Sequence, residues 1–385
     1  MHVLYVSDVY FPRVNGVSTS IHTFRTDLAT LGVTTTLVAP AYPAGKPATD
    51  DAHILRVRSG AVPRDPEDRR MHRGALRATL ASPALRDVEL VHIQTPFVAH
   101  YAGVHAARRL GVPVIATYHT FFEEYLHHYL PVLPRAWGRA VARTFTRSQC
   151  AAVDALVAPS EPMREALLGY GVATPIHVLP TGLPADRMRE GNGARFRERH
   201  GIQAGRPVLL FVGRVAHEKN IEFLVRMHAQ LLRVRPDALL VIAGEGPARE
   251  ALTQLAQRLG IAGNARFIGY LDRDAELLDC YAAGDLFVFA SRTETQGLVL
   301  LEAMAQGTPV VSTAELGTRS ILTAGSGGVV LPESADAFVG AITALLADPA
   351  ERQRLAALAR EHASSWSSWT MARRLVALYR QLVLR

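Results

Sequence analysis

Two glutamates, Glu294 and Glu302, stand either side of the run Thr295-Gln296-Gly297-Leu298-Val299-Leu300-Leu301. The run follows an apolar stretch, Leu286–Ala290, that reads as a buried strand. Gly297 lets the chain turn from that strand into a helix carrying Leu298 to Ala305. The backbone N–H groups of Gly297, Leu298 and Val299 would then point at a phosphate, helped by the helix dipole. Glu294, before the turn, can accept hydrogen bonds from sugar hydroxyls. Glu302 lies about two turns along and reaches ribose hydroxyls if its face borders a ligand. Two glutamates flanking an apolar helix are also ordinary, so this segment alone leaves both readings open.

A second segment, Gly213-Arg214-Val215-Ala216-His217-Glu218-Lys219-Asn220, directly follows the apolar run Val208–Val212. Arg214 and Lys219 flank a loop that enters a helix. Two cations there can clamp a diphosphate, the arginine by a bidentate fork and the lysine as a point charge. The competing reading is a pair of solvated surface residues. Near the amino terminus, Pro12-Arg13-Val14-Asn15-Gly16-Val17-Ser18 joins a strand to a helix, and Gly16 permits close backbone approach by an anion. A plain tight turn would look the same. His119 closes the apolar run Val114–Tyr118 and sits where a histidine can contact a reacting sugar, although a lone histidine is more often structural.

These residues need elements to position them, and the sequence supplies two successive sets. Strands are expected at Val3–Ser7, Thr35–Ala39, Leu90–Ile93, Val114–Tyr118, Ala155–Ala158 and His177–Leu179. Helices over Ile21–Leu31 and Ala99–Leu110, each stopped by a glycine, lie among them. The pattern restarts with Val208–Val212, a helix over Ile221–Arg233, and strands at Ala238–Ala243, Ala265–Ile268, Leu286–Ala290, Val310–Ser312 and Gly328–Leu331. Strands alternating with helices imply a parallel sheet covered on both faces. The expected fold class is therefore α/β: two doubly wound, Rossmann-like domains, residues 1–185 and 186–367. The join lies in the Gly-, Pro- and charge-rich stretch Thr181–Gly205. A final amphipathic helix, about Trp369–Leu384, shows Ala372, Leu375, Val376, Tyr379, Leu382 and Val383 on one face, and is expected to return to the first domain. Doubly wound sheets bind ligands at the carboxyl ends of their strands, so two of them facing each other make a cleft with its chemistry on post-strand loops.

Bulk properties narrow the partners. The chain has 385 residues, 49% hydrophobic and 20% charged, with a net charge of +7. The excess of positive charge favours anionic partners. It is spread along both halves, and neither zinc-finger spacing nor an RNA-recognition aromatic motif occurs, which argues against nucleic acid. The two cysteines, Cys150 and Cys280, form no metal or redox motif. No run approaches the roughly 20 apolar residues of a spanning helix. The opening Met1-His2-Val3-Leu4-Tyr5-Val6-Ser7-Asp8 lacks a basic leader and meets Asp8 too early for a signal peptide, so a cytoplasmic protein is expected.

Taken in order, the Glu294–Glu302 motif, Gly213-Arg214 with Lys219, the Asn15-Gly16-Val17-Ser18 loop and His119 resemble glycosyltransferase family 4, whose members have the GT-B fold. The resemblance runs over nearly the whole chain. It implies that Gly16 lines the diphosphate of a nucleotide-sugar donor. Arg214 and Lys219 would neutralise the leaving group, and Glu294 would hold the transferred sugar. Gly297, Leu298 and Val299 would bind phosphate through backbone N–H, Glu302 the ribose, and His119 the sugar near its anomeric carbon. The Ile268-Gly269-Tyr270 loop would meet the base. It implies retention of anomeric configuration by a same-face displacement, with His119, Arg214, Lys219 and Glu294 as the catalytic set and no essential metal. Two positions depart from the family pattern. Asn15 precedes Gly16 where many members have Gly-Gly, leaving less room near the phosphate. Gln296 stands where many have Phe or Tyr, and Thr295-Gln296-Gly297 resembles the bacterial branch that glycosylates diacylglycerol.

That branch suggests a lipid acceptor at an anionic membrane surface. Arg135, Arg139, Arg143 and Arg147 recur every fourth residue and form one stripe on a helix. Trp137, Val141 and Phe145 lie on a neighbouring face, and Tyr125, Tyr129, Leu130 and Leu133 precede it. Such a helix suits peripheral binding to anionic lipid, or is simply a solvated surface helix. Arg69, Arg70, Arg73 and Arg77 form a second basic patch in a stretch that reads as irregular. The expected reaction is hexose transfer from a nucleotide-sugar, UDP-sugar favoured, to diacylglycerol. The alternatives are a soluble or polysaccharide acceptor, a sugar-nucleotide epimerase of the same architecture, or a two-lobed binding protein.

Overall fold

The computed structural model describes residues 1–43, 51–62, 65–119, 135–272 and 276–384. It divides into two compact units, Met1–Gly182 with Ser368–Arg385, and Leu183–Ser367.

The first unit holds a parallel sheet of seven strands: β1 (His2–Val6), β2 (Thr34–Pro40), β3 (Ile54–Val57), β6 (Leu90–Ile93), β7 (Val114–Thr117), β8 (Ala155–Ala158) and β9 (Ile176–Val178). Their spatial order is β3-β2-β1-β6-β7-β8-β9. Central strands buried on both faces must be apolar throughout, and Val3, Leu4, Tyr5 and Val6 of β1 are all at most 1% exposed. The sheet reverses its strand order between β1 and β6, so the ends of these two strands frame its switch point.

The first helix, α1 (Gly16–Thr30), begins before the expected Ile21 because the Asn15 side chain accepts from Ser18 N at 2.8 Å. Apolar periodicity starts at Ile21, but the cap starts the helix. The arginine patch expected in an irregular stretch sits instead on regular elements. Arg69 and Arg70 lie on β5 (Asp65–Met71), which pairs antiparallel with β4 (Ser59–Val62), while Arg73 and Arg77 lie on α2 (Arg73–Leu80). Strand β5 hides in the sequence because Asp68, Arg69 and Arg70 give no apolar alternation. Helix α2 buries only Leu76 and Leu80. The unit is completed by α3 (Val98–Leu110), α4 (Arg135–Cys150) and α5 (Glu161–Gly169).

The second unit repeats the plan. Helix α6 (Gly193–Arg199) precedes β10 (Val208–Val212), α7 (Ile221–Leu231), β11 (Leu239–Ala243), α8 (Arg249–Arg258) and β12 (Ala265–Gly269). Then follow α9 (Leu277–Ala283), β13 (Leu286–Phe289), α10 (Leu298–Ala305), β14 (Val310–Ser312), β15 (Gly328–Val330), α11 (Ala335–Ala347) and α12 (Pro349–Ser364). The sheet is parallel in the order β12-β11-β10-β13-β14-β15, with its switch point between β10 and β13. The glycine-rich stretch that reads as a join is partly packed structure. Asn192 caps α6, Phe196 is 1% exposed, and a Cβ on Gly193 would sit 2.4 Å from the Ala282 carbonyl oxygen of α9. Glycine there serves close helix packing rather than a flexible linker.

The last helix, α13 (Ser368–Val383), belongs to the first unit, as its amphipathic pattern suggests. Ala372, Leu375, Val376 and Tyr379 join the core of that unit. The Tyr379 hydroxyl meets Tyr5 Oη at 2.8 Å and His92 Nδ1 at 2.6 Å, and His92 Nε2 meets Thr117 Oγ1 at 2.7 Å.

Burial holds several histidines neutral. His100, His119 and His228 are pushed down to about 4, and His92 is held well below its usual value. A histidine depressed in the fold binds fewer protons there than in the unfolded chain, so its contribution is complete above about pH 6.5 and is lost toward pH 4. Asp8, raised to about 6 by burial, opposes this over part of the window. The histidines outnumber it. The thermal unfolding midpoint is expected to fall by roughly 5–10 °C between pH 7 and pH 5. A midpoint that is constant or rises on acidification would contradict the buried, neutral assignment.

Candidate nucleotide-sugar site

In the second unit the two segments singled out in the sequence meet. Strand β10 ends at Val212 and hands over to the loop carrying Arg214 and Lys219; β13 ends at Phe289 and hands over to the loop carrying Glu294. Lys219 Nζ donates to Glu294 Oε1 at 2.5 Å, directly across the switch point. Both side chains are mostly buried, at 16% and 17% exposure. Arg214 Nη1 lies 3.6 Å from Glu218 Oε1 on the same loop. Asn220 takes a left-handed backbone (φ 54°) and donates from Nδ2 to the Ala290 carbonyl at 3.2 Å, tying the lysine loop to the end of β13. The glutamate loop is held by Gly317 N, which donates to the Glu294 carbonyl at 2.8 Å.

Gly297 is the residue before α10 and adopts φ 95°, a conformation that favours glycine, so the chain turns there from loop into helix. The first-turn amides of α10, with Leu298 and Val299 leading, form the kind of helix start that accepts an anion. Glu302 lies deeper than its expected reach to a ribose implies. It is 4% exposed, and Tyr281 Oη on α9 donates to its Oε2 at 2.7 Å. Ile268 and Tyr270 flank Gly269 at the end of β12, where the Gly269 carbonyl accepts from Gly244 N at 2.7 Å; Tyr270 is 51% exposed. Sequence reasoning passed over Glu218, Ser291 and Thr313. Glu218 Oε1, Ser291 Oγ and Thr313 Oγ1 are buried, with no hydrogen-bond partner among the described residues, although Glu218 Oε1 has the Arg214 guanidinium nearby. Ser291 and Thr313 sit just past β13 and β14, and Glu218 is on the loop after β10. The signal available was position: each lies on a post-strand loop of a doubly wound sheet.

The first unit gathers polar residues at its own switch point. Asp8, just past β1, accepts from Thr95 Oγ1 at 2.8 Å and from Ala99 N at 3.1 Å, while its own N–H donates to Thr95 Oγ1 at 2.7 Å. These bonds favour the carboxylate, but burial dominates and raises Asp8 to about 6. His119 follows β7, with Nε2 at 3.1 Å from Gln94 Oε1, and desolvation lowers it to about 4. Gly16 is the first residue of α1, and a Cβ built on it meets nothing within 4 Å. Asn15, expected to crowd this loop, has its side-chain oxygen committed to the helix cap. Asp8, Gln94 and Thr95 were not singled out in the sequence, although each lies within two residues of a strand's end.

The helix of the arginine stripe is present as α4. Ala142, Thr146 and Gln149 are buried, whereas Val141 is 52% exposed and Arg143 and Arg147 face solvent. Arg143 stacks over the Tyr170 ring at 5.2 Å, and Phe145 is half-buried. The side chains of Arg135, Trp137 and Arg139, and residues Tyr125, Tyr129, Leu130 and Leu133, lie outside the described residues. Among the described residues no helix is long and apolar enough to cross a membrane, and no group of three or more His, Cys, Asp or Glu is placed to hold a metal ion.

Two family models match most of the chain. Residues 14–187 match the family model described as Glycosyltransferase Family 4, and residues 193–362 match Glycosyl transferases group 1. The chain belongs to glycosyltransferase family 4. It is similar to the alpha-monoglucosyldiacylglycerol synthase of Streptococcus pneumoniae, at 32% identity over 81% of this chain and 71% of that protein. It is also similar to the GDP-mannose-dependent alpha-mannosyltransferase of Mycobacterium tuberculosis, at 31% identity over 94% and 91%. Among solved structures, sucrose-phosphate synthase from Thermosynechococcus elongatus superposes with a TM-score of 0.79 at 23% identity, covering 99% of both chains. Anabaena HepE with UDP-glucose gives 0.78 at 17% identity, covering 99% of this chain and all of that one. These neighbours share the GT-B fold. The family 4 chain is thus a glycosyltransferase.

Gly16 separates a binding loop from a plain turn. Its backbone is ordinary and the space beside it is empty, so Gly16→Ala is expected to leave the unfolding midpoint unchanged or slightly raised. Affinity for the nucleotide-sugar, measured by calorimetry, should fall roughly tenfold or more, a loss of about 1.4 kcal/mol. Unchanged affinity would remove Gly16 from the site.

Proposed function

We propose that this glycosyltransferase moves a hexose, with retention, from a UDP-sugar to a lipid acceptor of the diacylglycerol type at an anionic membrane surface. The observation that carries the donor half is the Lys219–Glu294 pair at the switch point, with Arg214 on the same loop. The diphosphate of a nucleotide-sugar carries two negative charges and so matches the two carboxylates that Lys219 and Arg214 now face. In this reading Glu294 turns from the lysine to the sugar hydroxyls as the donor enters, and the first-turn amides of Gly297, Leu298 and Val299 take up phosphate oxygens. Glu302, held by Tyr281, offers its carboxylate to the ribose, and the backbone of Ile268 and Tyr270 meets the base.

As the bond to the anomeric carbon breaks, charge grows on the departing phosphate, and the two cations stabilise it where it develops. The acceptor hydroxyl attacks the same face and passes its proton to that phosphate oxygen. His119 meets the sugar as a neutral ring. Lys219 and Arg214 do the work a divalent ion does elsewhere, so the reaction needs no metal.

The lipid half rests on the similarity to a diacylglycerol glucosyltransferase and on the exposed Arg143 and Arg147 of α4. A second reading has its own support. The mannosyltransferase relative covers more of the chain at nearly the same identity, which favours GDP-mannose as donor.

A donor panel scored by released nucleotide, with vesicles of neutral or anionic lipid containing diacylglycerol, or with soluble sugars, tests both halves. UDP-hexose with anionic vesicles should give the fastest release, unaffected by EDTA. Lys219→Ala and Glu294→Ala should each lose at least about a hundredfold in kcat while remaining folded. Release from GDP-mannose alone would favour the second reading, and equal rates with soluble acceptors would remove the lipid. Near-normal turnover in either variant would overturn the site.

A further inference from the structure

The first unit carries a polar pair that the reaction described above does not explain. Gln94 is 3% exposed, lies one residue past β6, and turns Oε1 to His119 Nε2 at 3.1 Å. A neutral imidazole has one N–H donor and one lone-pair acceptor, and the partner of one nitrogen decides the role of the other. An amide oxygen can only accept, so the proton belongs on Nε2 and the lone pair on Nδ1. Among the described residues the amide nitrogen of Gln94 is itself buried with no hydrogen-bond partner, an uncommon state for a buried donor.

We propose that Gln94 is a positioning residue: its amide oxygen holds His119 as the neutral ring protonated on Nε2, so that Nδ1 accepts a hydrogen bond from a hydroxyl of the sugar substrate. This rests on the reading of the chain as a hexosyltransferase with His119 at the sugar. A glutamate at position 94 would accept the same hydrogen bond but favour the imidazolium. A neutral amide fixes orientation without adding charge. The neighbouring ionisable groups are bonded to other partners. His92, on β6, is buried and bonded to Tyr379 and Thr117. Asp8, past β1, is taken up by Thr95 and Ala99. Tyr118, the residue before His119, shares its hydroxyl with Thr146 at 3.0 Å. Burial accordingly keeps His119 neutral down to about pH 4.

The test is nitrogen-proton correlation NMR of the histidine rings in full-length protein without substrate, with the His119→Gln spectrum assigning the signal. Wild type should show His119 as the Nε2–H tautomer, with no titration between pH 5 and 8. Gln94→Glu should move its titration into that range and give kcat an acid limb that wild type lacks. Gln94→Met, of similar shape but without an acceptor, should show mixed tautomers and a kcat lower by roughly tenfold, the worth of one hydrogen bond. An Nδ1–H tautomer in wild type, or an unshifted titration in folded Gln94→Glu, would overturn the proposal. The spectra need no substrate, so their outcome is separable from that of the Lys219 and Glu294 variants, which test the donor reading.

Discussion

Lys219 and Glu294 hold each other at 2.5 Å across the point where the second sheet reverses its strand order. Each comes from a loop whose direction is set by the strand before it, β10 or β13, and neither loop has regular structure enough to fix a side chain alone. The contact therefore depends on the fixed strands beneath, all five residues of β10 being buried, and on the small ties around it: Asn220 to Ala290, and Gly317 to Glu294. A cation and an anion held together at a site with little water are ready to exchange partners. In the proposed reading an incoming diphosphate would compete for the lysine and the sugar hydroxyls for the glutamate, so that opening the pair would cost little once a donor is present. The left-handed backbone of Asn220 is a structural cost of bringing these loops to one point, whereas Gly297 takes its positive φ without strain.

The first unit solves the same topological problem with a different chemistry. At its switch point a carboxyl, Asp8, is enclosed by a threonine hydroxyl and the amides at the start of α3. Beside it the ends of β6 and β7 present Gln94 and His119, a pair without net charge. Behind them runs a buried line of hydroxyls and imidazole, Tyr5–Tyr379–His92–Thr117, anchored by the last helix of the chain.

Much of this is legible in the sequence, for definite reasons. Central parallel strands are buried on both faces, so Val208–Val212 and Val3–Val6 announce themselves as continuous apolar runs. Glycines and cations placed just after such runs mark the post-strand loops before any coordinates are known. What escapes is what depends on partners far along the chain. Asn15 looks like an obstruction until its side chain is seen capping α1, and β5 is hidden by consecutive charged residues. Gly193 reads as linker but serves contact with α9. Glu302 gives no hint in the sequence of its hydrogen bond from Tyr281 of the preceding helix. The pairing of Lys219 with Glu294 is invisible for the same reason: spacing places each on a post-strand loop, while only the sheet order makes the loops neighbours.

The central claim is that the loops after β10 and β13 form one diphosphate site whose resident ion pair opens to admit the donor. A crystal structure of this chain with a bound nucleoside diphosphate tests it most directly. The account predicts phosphate oxygens within hydrogen-bond distance of Lys219 Nζ, Arg214 and the amides following Gly297, with Glu294 turned away from the lysine. A nucleotide bound elsewhere, or bound there with the Lys219–Glu294 contact intact, would contradict it.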